Sequence, residues 1–391
     1  MHGKSKPGVI SRGIKTPIIM PGDDVVKIVV DSVIETVGIE GIQDKDAIGS
    51  TEAIVAIGQN NIVTQEEVVK DLENKFAGAH SIAVVDPIQS RNRFMAILKA
   101  VAAMPSIHTI YVVMTYPTDE VGNRLVSEEV MMESGVNPYR DLLTQETFYK
   151  RLGKPSHPFT GQDYMELYKG ICGDKGNIIM CNDFTQIPAL CSDILVCSIH
   201  RREMVKKILL NNGAVRVLDL SDIMNEPVDG SGYNPDFGLY GSNLQNNDDL
   251  KLMPRDCDKF VKEVQAEMFR RTGKSVEAYV FGDGAFKDPV GGIWELADPT
   301  TTPGFTEGLK GTPEEVKLKF IASAHKDKTK EEIEQIVAEE KAARKAAKDI
   351  SENASLGTTP RQITDLISSL SDLTTGSGDR QTPVVLVQNY L

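Results

Sequence analysis

Residues 276–299 read VEAYVFGDGAFKDPVGGIWELADP, and they decide how the rest of the chain is interpreted. An alternating apolar run, which predicts a strand, ends in Gly282, Asp283 and Gly284, and a second extended run carries Trp294. Because glycine has no Cβ, two glycines around a carboxylate let backbone and metal approach a phosphate. Asp283 is therefore the first candidate for chemistry. A polar hairpin turn is the competing interpretation of these residues.

The composition excludes several classes of protein. A length of 391 residues suffices for two lobes, each with its own core. The sequence shows no run of about 18 apolar residues and no secretory signal, which predicts a cytoplasmic protein without a membrane partner. The net charge of −13 and the pI near 5.1 argue against nucleic-acid binding, which requires phosphates to be neutralised. A phosphate ligand is still compatible with this charge, since metal ions supply positive charge locally.

The five cysteines form no C-x-x-C pair, and four of them lie in or beside apolar segments. This pattern predicts reduced core thiols rather than disulfides. A zinc cluster of Cys172, Cys181, Cys191 and Cys197 is the alternative, although its spacing is irregular.

Local patterns predict the order of elements near the N-terminus. Residues 1–15 are polar and predict a mobile arm that leads into a strand. Residues 25–36 predict a helix behind an Asp23 or Asp24 cap, because valines recur at helical spacing. Residues 49–58 predict a small-residue turn that leads into a buried strand.

Two strand ends in the middle of the chain carry charged residues. Arg91 and Arg93 follow a strand over residues 81–85 and stand near a helix N-terminus, where a cation is unexpected unless an anion joins it. Contact of Arg91 and Arg93 with carboxylates of another lobe is an alternative of equal weight. Asp183 ends a buried strand, as Asp283 does, and this placement suits either a metal ligand or a cap on the next turn.

The C-terminal segment joins a glycine-rich loop to a strand. Gly376, Ser377, Gly378 and Asp379 precede an apolar strand over residues 384–387. Backbone N–H groups of such a loop can surround phosphates, although the loop matches neither a Walker loop nor a dinucleotide fingerprint.

In combination, these segments resemble the γ-glutamyl ligase family of the deazaflavin coenzyme F-420, and more closely its long bacterial members. The segments that carry the resemblance, in family order along the chain, are residues 16–24 (TPIIMPGDD), 50–52 (STE), 182–183 (ND), 280–284 (VFGDG) and 376–385 (GSGDRQTPVV). Residues 90–94 and 116–123 have no obvious counterpart in the short archaeal enzymes. They indicate a subgroup-specific insertion over about residues 86–170.

The resemblance implies an enzyme that joins L-glutamate to a small carboxylate acceptor, with GTP or ATP and with Mn²⁺ or Mg²⁺. It implies cofactor-binding roles for Thr16, Pro17, Ile18, Ile19, Ser50, Thr51, Gly282, Gly284, Gly376, Ser377 and Gly378, and metal-binding roles for Asp183, Asp283 and Asp379. Transfer of a phosphoryl group to a carboxylate explains these residue types, because its spreading negative charge has to be neutralised.

Four further residues receive catalytic roles on the same basis. Lys287 and Arg91 are expected to neutralise phosphate, and Glu52 or Asp288 is expected to assist deprotonation of the amine. The chain departs from the family at Gly284, where a hydroxyl is expected, and at Ser377, a poor metal ligand that Asp379 could replace.

The expected architecture is an α+β fold of two lobes, with mixed, largely antiparallel sheets flanked by helices, as in γ-glutamyl ligases; an α/β fold is the alternative. The expected division is an N-terminal lobe over 1–224, a connecting region over 225–258 and a C-terminal lobe over 259–391. A homodimer is expected by resemblance. Two other functions stay open: a folate-type γ-glutamyl ligase, and a non-catalytic protein that binds a nucleotide or metabolite.

Overall fold

The computed structural model describes residues 7–89, 94–120, 122–158, 160–246, 248–282, 301–311, 313, 318–346, 362–375 and 382–391. The strands in these residues are β1 (Ile10–Ile14), β2 (Ala47–Thr51), β3 (Ile62–Val63), β4 (Ser81–Val85), β5 (Thr109–Met114), β6 (Leu143–Thr144), β7 (Gly176–Met180), β8 (Asp193–Val196), β9 (Arg216–Asp219), β10 (Asn243–Leu244), β11 (Leu250–Lys251), β12 (Glu277–Gly282), β13 (Thr301–Phe305) and β14 (Val384–Gln388). The helices are α1 (Val25–Val37), α2 (Glu52–Gly58), α3 (Gln65–Lys75), α4 (Phe94–Ala103), α5 (Glu128–Ser134), α6 (Gln145–Leu152), α7 (Tyr164–Cys172), α8 (Arg202–Asn211), α9 (Cys257–Thr272), α10 (Leu318–Ala324), α11 (Lys330–Ala346) and α12 (Ile363–Thr375).

A five-stranded sheet unites strands from both ends of the chain in the order β1-β14-β2-β12-β13. Strands β2 and β12 are parallel, whereas the other neighbours are antiparallel. The C-terminal strand β14 therefore lies between the two strands nearest the N-terminus.

Helices cover both faces of this sheet. One face packs against α1 and α9, where Val29, Val33 and Val264 are buried with Ile48 of β2. The other face packs against α12, whose Ile367 joins Tyr279 and Phe281 in a second apolar cluster. The helical spacing of the valines in α1 thus reflects a face turned to the sheet, and burial of each contributes about 1.5–3 kcal/mol.

A six-stranded sheet has the order β6-β7-β5-β4-β8-β9, and all its neighbours are parallel except β6 and β7. Counted along the chain, its five parallel strands stand in the order third, second, first, fourth, fifth. This is a doubly wound sheet whose strand order reverses between β4 and β8. Helices α4 and α7 lie over one face and α8 over the other.

A small sheet, β10-β11-β3, connects the two larger ones. Leu250 of β11 pairs with Val63, and Lys251 pairs with Ile62. Strand β3 follows α2 directly, so this small sheet places β11 beside the first turn of α2.

The structure confirms the α+β class, with mixed sheets flanked by helices. It also confirms the helix behind Asp24, whose side chain accepts the N–H of Lys27 at 3.0 Å. The five-stranded sheet is largely antiparallel, as expected, whereas the six-stranded sheet departs from that expectation because its strands are joined by crossover helices.

Two local predictions were wrong. Residues 49–58 are not a turn followed by a strand: β2 ends at Thr51, and Glu52–Gly58 is a helix. A short apolar run cannot separate the two states by periodicity. Ile10–Ile14, placed in a mobile arm, is strand β1 and pairs with β14 over five residues.

All five cysteines are buried and none forms a disulfide. Burial raises the pKa of Cys172 to about 12 and that of Cys181 to about 11. Within the described ranges, no helix is long and apolar enough to cross a membrane.

Candidate functional site

The described parts of four segments singled out in the sequence, residues 16–24, 50–52, 280–282 and 382–385, lie at one edge of the five-stranded sheet, whereas residues 182–183 lie on the six-stranded sheet. Ile14 of β1, Val384 of β14, Ser50 of β2 and Val280 of β12 are neighbours across the sheet. Because β1, β2 and β12 run in the same direction, all three end at that edge. We call it the β2–β12 edge.

Residues 16–19 follow β1 at the β2–β12 edge. Ile19 is 9% exposed, whereas Ile18 is 79% exposed, so the segment places one side chain in the core and one in solvent. The hydroxyl of Thr16 donates to the carbonyl of Pro17 at 2.9 Å. This segment therefore borders the edge.

The end of β2 is held in place by a backbone hydrogen bond to the segment that precedes β14. The N–H of Thr51 donates to the carbonyl of Pro383 at 2.9 Å, which holds the segment before β14 beside the start of α2. Ser50 is only 1% exposed, so its side chain is covered by the sheet and its surroundings. Thr51 is half-buried.

Gly282, the last residue of β12, touches Glu52, the first residue of α2. A Cβ atom added to Gly282 would lie 2.3 Å from Cγ of Glu52. Position 282 therefore requires glycine because the Glu52 side chain approaches it closely, whereas the approach to a phosphate expected from the sequence stays a prediction.

A buried ion pair at the β2–β12 edge was not predicted. Nζ of Lys251 lies 2.5 Å from Oε2 of Glu52, and the two side chains are 8% and 9% exposed. A buried charge pair contributes little more to stability than well-packed apolar residues would. Its presence beside Gly282 therefore points to chemistry. The sequence carries a weak sign of it, a lysine inside the apolar stretch Leu250–Met253.

Asp183 lies after β7, on the doubly wound sheet rather than on the five-stranded one. It caps the 3-10 helix Phe184–Ala189, and its carboxylate accepts the Thr185 hydroxyl at 2.6 Å and the Gln186 amide at 3.1 Å. The hydrogen bond from Thr185 lowers the pKa of Asp183. The structure shows a capping carboxylate here, one of the two roles considered from the sequence.

Nine predicted site residues lie outside the described residues: Arg91, Asp283, Gly284, Lys287, Asp288, Gly376, Ser377, Gly378 and Asp379. Two of them adjoin described residues in sequence, since Asp283 follows Gly282 and Gly376 follows Thr375.

The donor set for a metal ion was tested against the described side chains. Among them, no group of three His, Cys, Asp or Glu residues could hold a metal ion. Glu52 is already paired with Lys251. The described part of the β2–β12 edge therefore does not by itself fit a metal, and carboxylates for one would have to come from Asp283 and Asp379.

Comparison with models of known protein families identifies a family for this chain. The model of the family described as F420-0:Gamma-glutamyl ligase matches residues 13–389. No curated protein matches the chain.

Proposed function

The chain belongs to the F420-0:gamma-glutamyl ligase family and is thus an enzyme that forms an amide bond to glutamate, and we propose that it uses a nucleoside triphosphate for this purpose. The acceptor is a small carboxylate. The observation that supports the proposal is the convergence of residues 16–19, Ser50–Glu52 and Gly282 at one sheet edge.

In the proposed reaction, a carboxylate oxygen of the acceptor attacks the γ-phosphorus, and the nucleoside diphosphate leaves. The amine of glutamate then attacks the acyl carbon, phosphate leaves and the nitrogen loses a proton. Most of the rate comes from holding these groups in position and from stabilising the developing charge.

The nucleotide is assigned to the β2–β12 edge. Thr16, Pro17, Ile18 and Ile19 border it on one side, and Thr51 and Gly282 on the other. The glycines at positions 284, 376 and 378 and Ser377 complete the proposed phosphate-binding set. Lys287 and Arg91 are assigned to phosphate charges.

Glu52 is assigned as the group that accepts the proton from the amine of glutamate, with Asp288 as the alternative. Lys251 supports this role by geometry, since its ammonium group lies 2.5 Å from the Glu52 carboxylate and holds it at the strand end. Lys251 is a positioning residue in this proposal.

Mn²⁺ or Mg²⁺, when bound, would neutralise phosphate charge, and carboxylate oxygens are the ligands both ions prefer. Asp283 and Asp379 are the first candidates to hold it. Asp183 is a further candidate, although its carboxylate already accepts hydrogen bonds from Thr185 and Gln186.

The remaining parts of the proposal concern context. The protein acts in the cytoplasm as a homodimer, and the lobe boundaries at residues 224 and 258 remain a prediction. A folate-type acceptor is a second candidate with the same chemistry. A non-catalytic binding protein is the third, since Gly284 and Ser377 lack groups that the family has.

The experiment incubates the protein with GTP or ATP, Mn²⁺, glutamate and a metabolite extract, and follows phosphate release and products by mass spectrometry. We expect a glutamyl mass increment on an acceptor, and its loss in Asp283→Asn. Asp229→Asn, at an exposed ion pair with Lys70, is the matched control and should keep full activity. Full activity of Asp283→Asn would disprove its metal role, and absence of phosphate release with every acceptor would favour the binding protein.

A further inference from the structure

The doubly wound sheet has its own place for a ligand, away from the β2–β12 edge. In open α/β sheets, ligands bind outside the C-terminal ends of the strands, where the strand order reverses. Here that point lies between β4 and β8. The residues that follow these strands are Asp86 after β4 and Ser198 to Arg201 after β8, and Glu120 reaches them from the loop after β5.

Three buried polar atoms at this point lack hydrogen-bond partners among the described residues. They are Oδ2 of Asp86, Oε2 of Glu120 and Nε of Arg201. Asp86 is 1% exposed, and its other oxygen accepts a bond from Arg201 at 2.6 Å. Unpaired buried polar atoms are costly, so such a group indicates a missing partner.

A cavity of about 30 Å³ is lined in part by Ile199, whose backbone N–H donates to Glu120, although none of the three atoms is itself in the lining. Its walls include Ile88, two residues after Asp86, and Cys197 and Ile199, which flank Ser198. The lining is mainly apolar, with Leu239 and Tyr240 closing it from a later loop. The loops after β4 and β8 thus contribute to the cavity as well as to the polar cluster, which Glu120 joins from the loop after β5. The space admits an apolar group of about methyl or ethyl size.

The chemistry of the three atoms selects among ligands. A phosphate is disfavoured because Glu120 already accepts the N–H of Ile199 at 2.8 Å, at the start of α8. A metal ion is disfavoured because no three-ligand group is present in the described chain and because Arg201 competes for Asp86. Among the described side chains at this point, two carboxyls and one guanidinium leave a single negative charge when both acids are ionised. An ammonium group balances that charge and donates to the two acid oxygens, whereas the Nε–H of Arg201 needs an acceptor that an ammonium group does not supply.

We propose that the point between β4 and β8 binds a small primary amine, whose ammonium group donates to Asp86 and Glu120 and whose short alkyl chain enters the cavity. The topology, the cavity and the unpaired atoms support this site independently. It is separate from the proposed ligase reaction and does not depend on it.

Binding should release a proton. Burial, with the charge of Asp86, raises the pKa of Glu120 to about 8, so this acid is largely protonated at neutral pH. The groups facing it are Asp86, Arg201, and the backbone N–H groups of Ile199 and His200. An ammonium ion favours the ionised acid, so Glu120 gives its proton to the buffer as the amine binds.

The test titrates the full-length protein with methylammonium, ethylammonium and butylammonium chloride by calorimetry at pH 7. Tetramethylammonium and sodium chloride at equal ionic strength serve as ligand controls. We expect saturable binding of the primary amines alone, about threefold tighter for ethylammonium than for methylammonium, with no further gain for butylammonium. Titrations in two buffers of different ionisation heat should show proton release.

Asp86→Asn and Glu120→Gln should each weaken binding about tenfold or more, because each removes a charged acceptor. Leu239→Phe should weaken ethylammonium more than methylammonium by filling the cavity. Glu203→Gln, an exposed side chain in the first turn of α8, is the matched control and should bind as the native protein does. Circular dichroism checks that each variant is folded.

Three results would overturn the proposal. Primary amines that bind no better than sodium would show that the two acids only share a proton. Equal binding by folded Asp86→Asn and Glu120→Gln would place the amine elsewhere. Binding without proton release would remove Glu120 from the site.

Discussion

The last residue of β12 and the first residue of α2 touch: a Cβ on Gly282 would lie 2.3 Å from Cγ of Glu52. Gly282→Ala should therefore displace the Glu52 side chain, destabilise the protein by about 1–3 kcal/mol and lower ligase turnover. Urea unfolding and phosphate release measure the two effects. The backbone of Gly282 does not have positive φ, so the contact alone is the cause.

Gly170→Ala is the matched control for this substitution. A Cβ on Gly170, inside α7, meets nothing within 4 Å. Alanine in a helix interior should stabilise the protein by up to about 1 kcal/mol without a change in turnover. If Gly282→Ala behaves as Gly170→Ala does, the close approach at the β2–β12 edge is not maintained in solution.

The ion pair of Lys251 and Glu52 predicts strong coupling between two substitutions. Lys251→Met removes the positive charge that lies against a buried carboxylate and should cost about 3–5 kcal/mol. Glu52→Gln in the same chain should recover part of that loss, because the buried negative charge is gone. Urea unfolding of the two single variants and the double variant measures the coupling. Additive losses would show that the two side chains do not interact.

The raised pKa of Glu120 predicts how the free energy of unfolding depends on pH. Its pKa is raised to about 8 in the folded protein by burial, so the folded state binds a proton that the unfolded state has released above its ordinary pKa of about 4.5. The contribution of this proton to the free energy of unfolding is fully present below the ordinary pKa of about 4.5. It is lost as the pH rises from there through about 8.

Glu120→Gln should remove this slope, which is at most about 1.4 kcal/mol per pH unit for one acid. The measurement is urea unfolding of both proteins between pH 5 and 8.5. The pKa of Asp86 is also raised by burial, so a slope of the same sign from that acid should persist in the variant. Identical pH curves would mean that Glu120 is ionised throughout.

Substitutions of Asp183 can separate the two roles considered for it, capping of the next helical turn and binding of a metal ion. Asparagine is as good a cap as aspartate, so Asp183→Asn should keep the native stability, whereas Asp183→Ala should lose about 1 kcal/mol. If the carboxylate also holds metal, Asp183→Asn should need more Mn²⁺ for the same turnover. Native turnover of Asp183→Asn at every Mn²⁺ concentration would leave only the capping role.

The sequence was most informative where a pattern has a single structural meaning. The pattern T-x-x-E of residues 64–67 is typical of a capping box, and in the structure the N–H of Glu67 donates to the Thr64 hydroxyl at 3.2 Å. The helical spacing of the valines was likewise sufficient to predict α1. Both depend on residues three or four positions apart, which the sequence displays directly.

Pairing between distant segments could not be predicted in the same way. Ser81–Val85 and Thr109–Met114 are apolar on both faces, as parallel strands are, yet nothing local tells which strand becomes the neighbour of which. Lys251 was missed for this reason, since its partner Glu52 is 199 positions away. The chemistry of the β2–β12 edge stays a prediction from residue types, whereas its geometry required the fold.

The position of β14 between β1 and β2 also determines which sheet of the protein can form first during synthesis. The doubly wound sheet is complete once β9 has left the ribosome, and domains fold as units in that order. The five-stranded sheet has to wait for residues 384–388, so until then β1 and β2 lack the strand that joins them. The nascent chain thus carries a finished doubly wound sheet while its five-stranded sheet still has open strand edges, which favour aggregation.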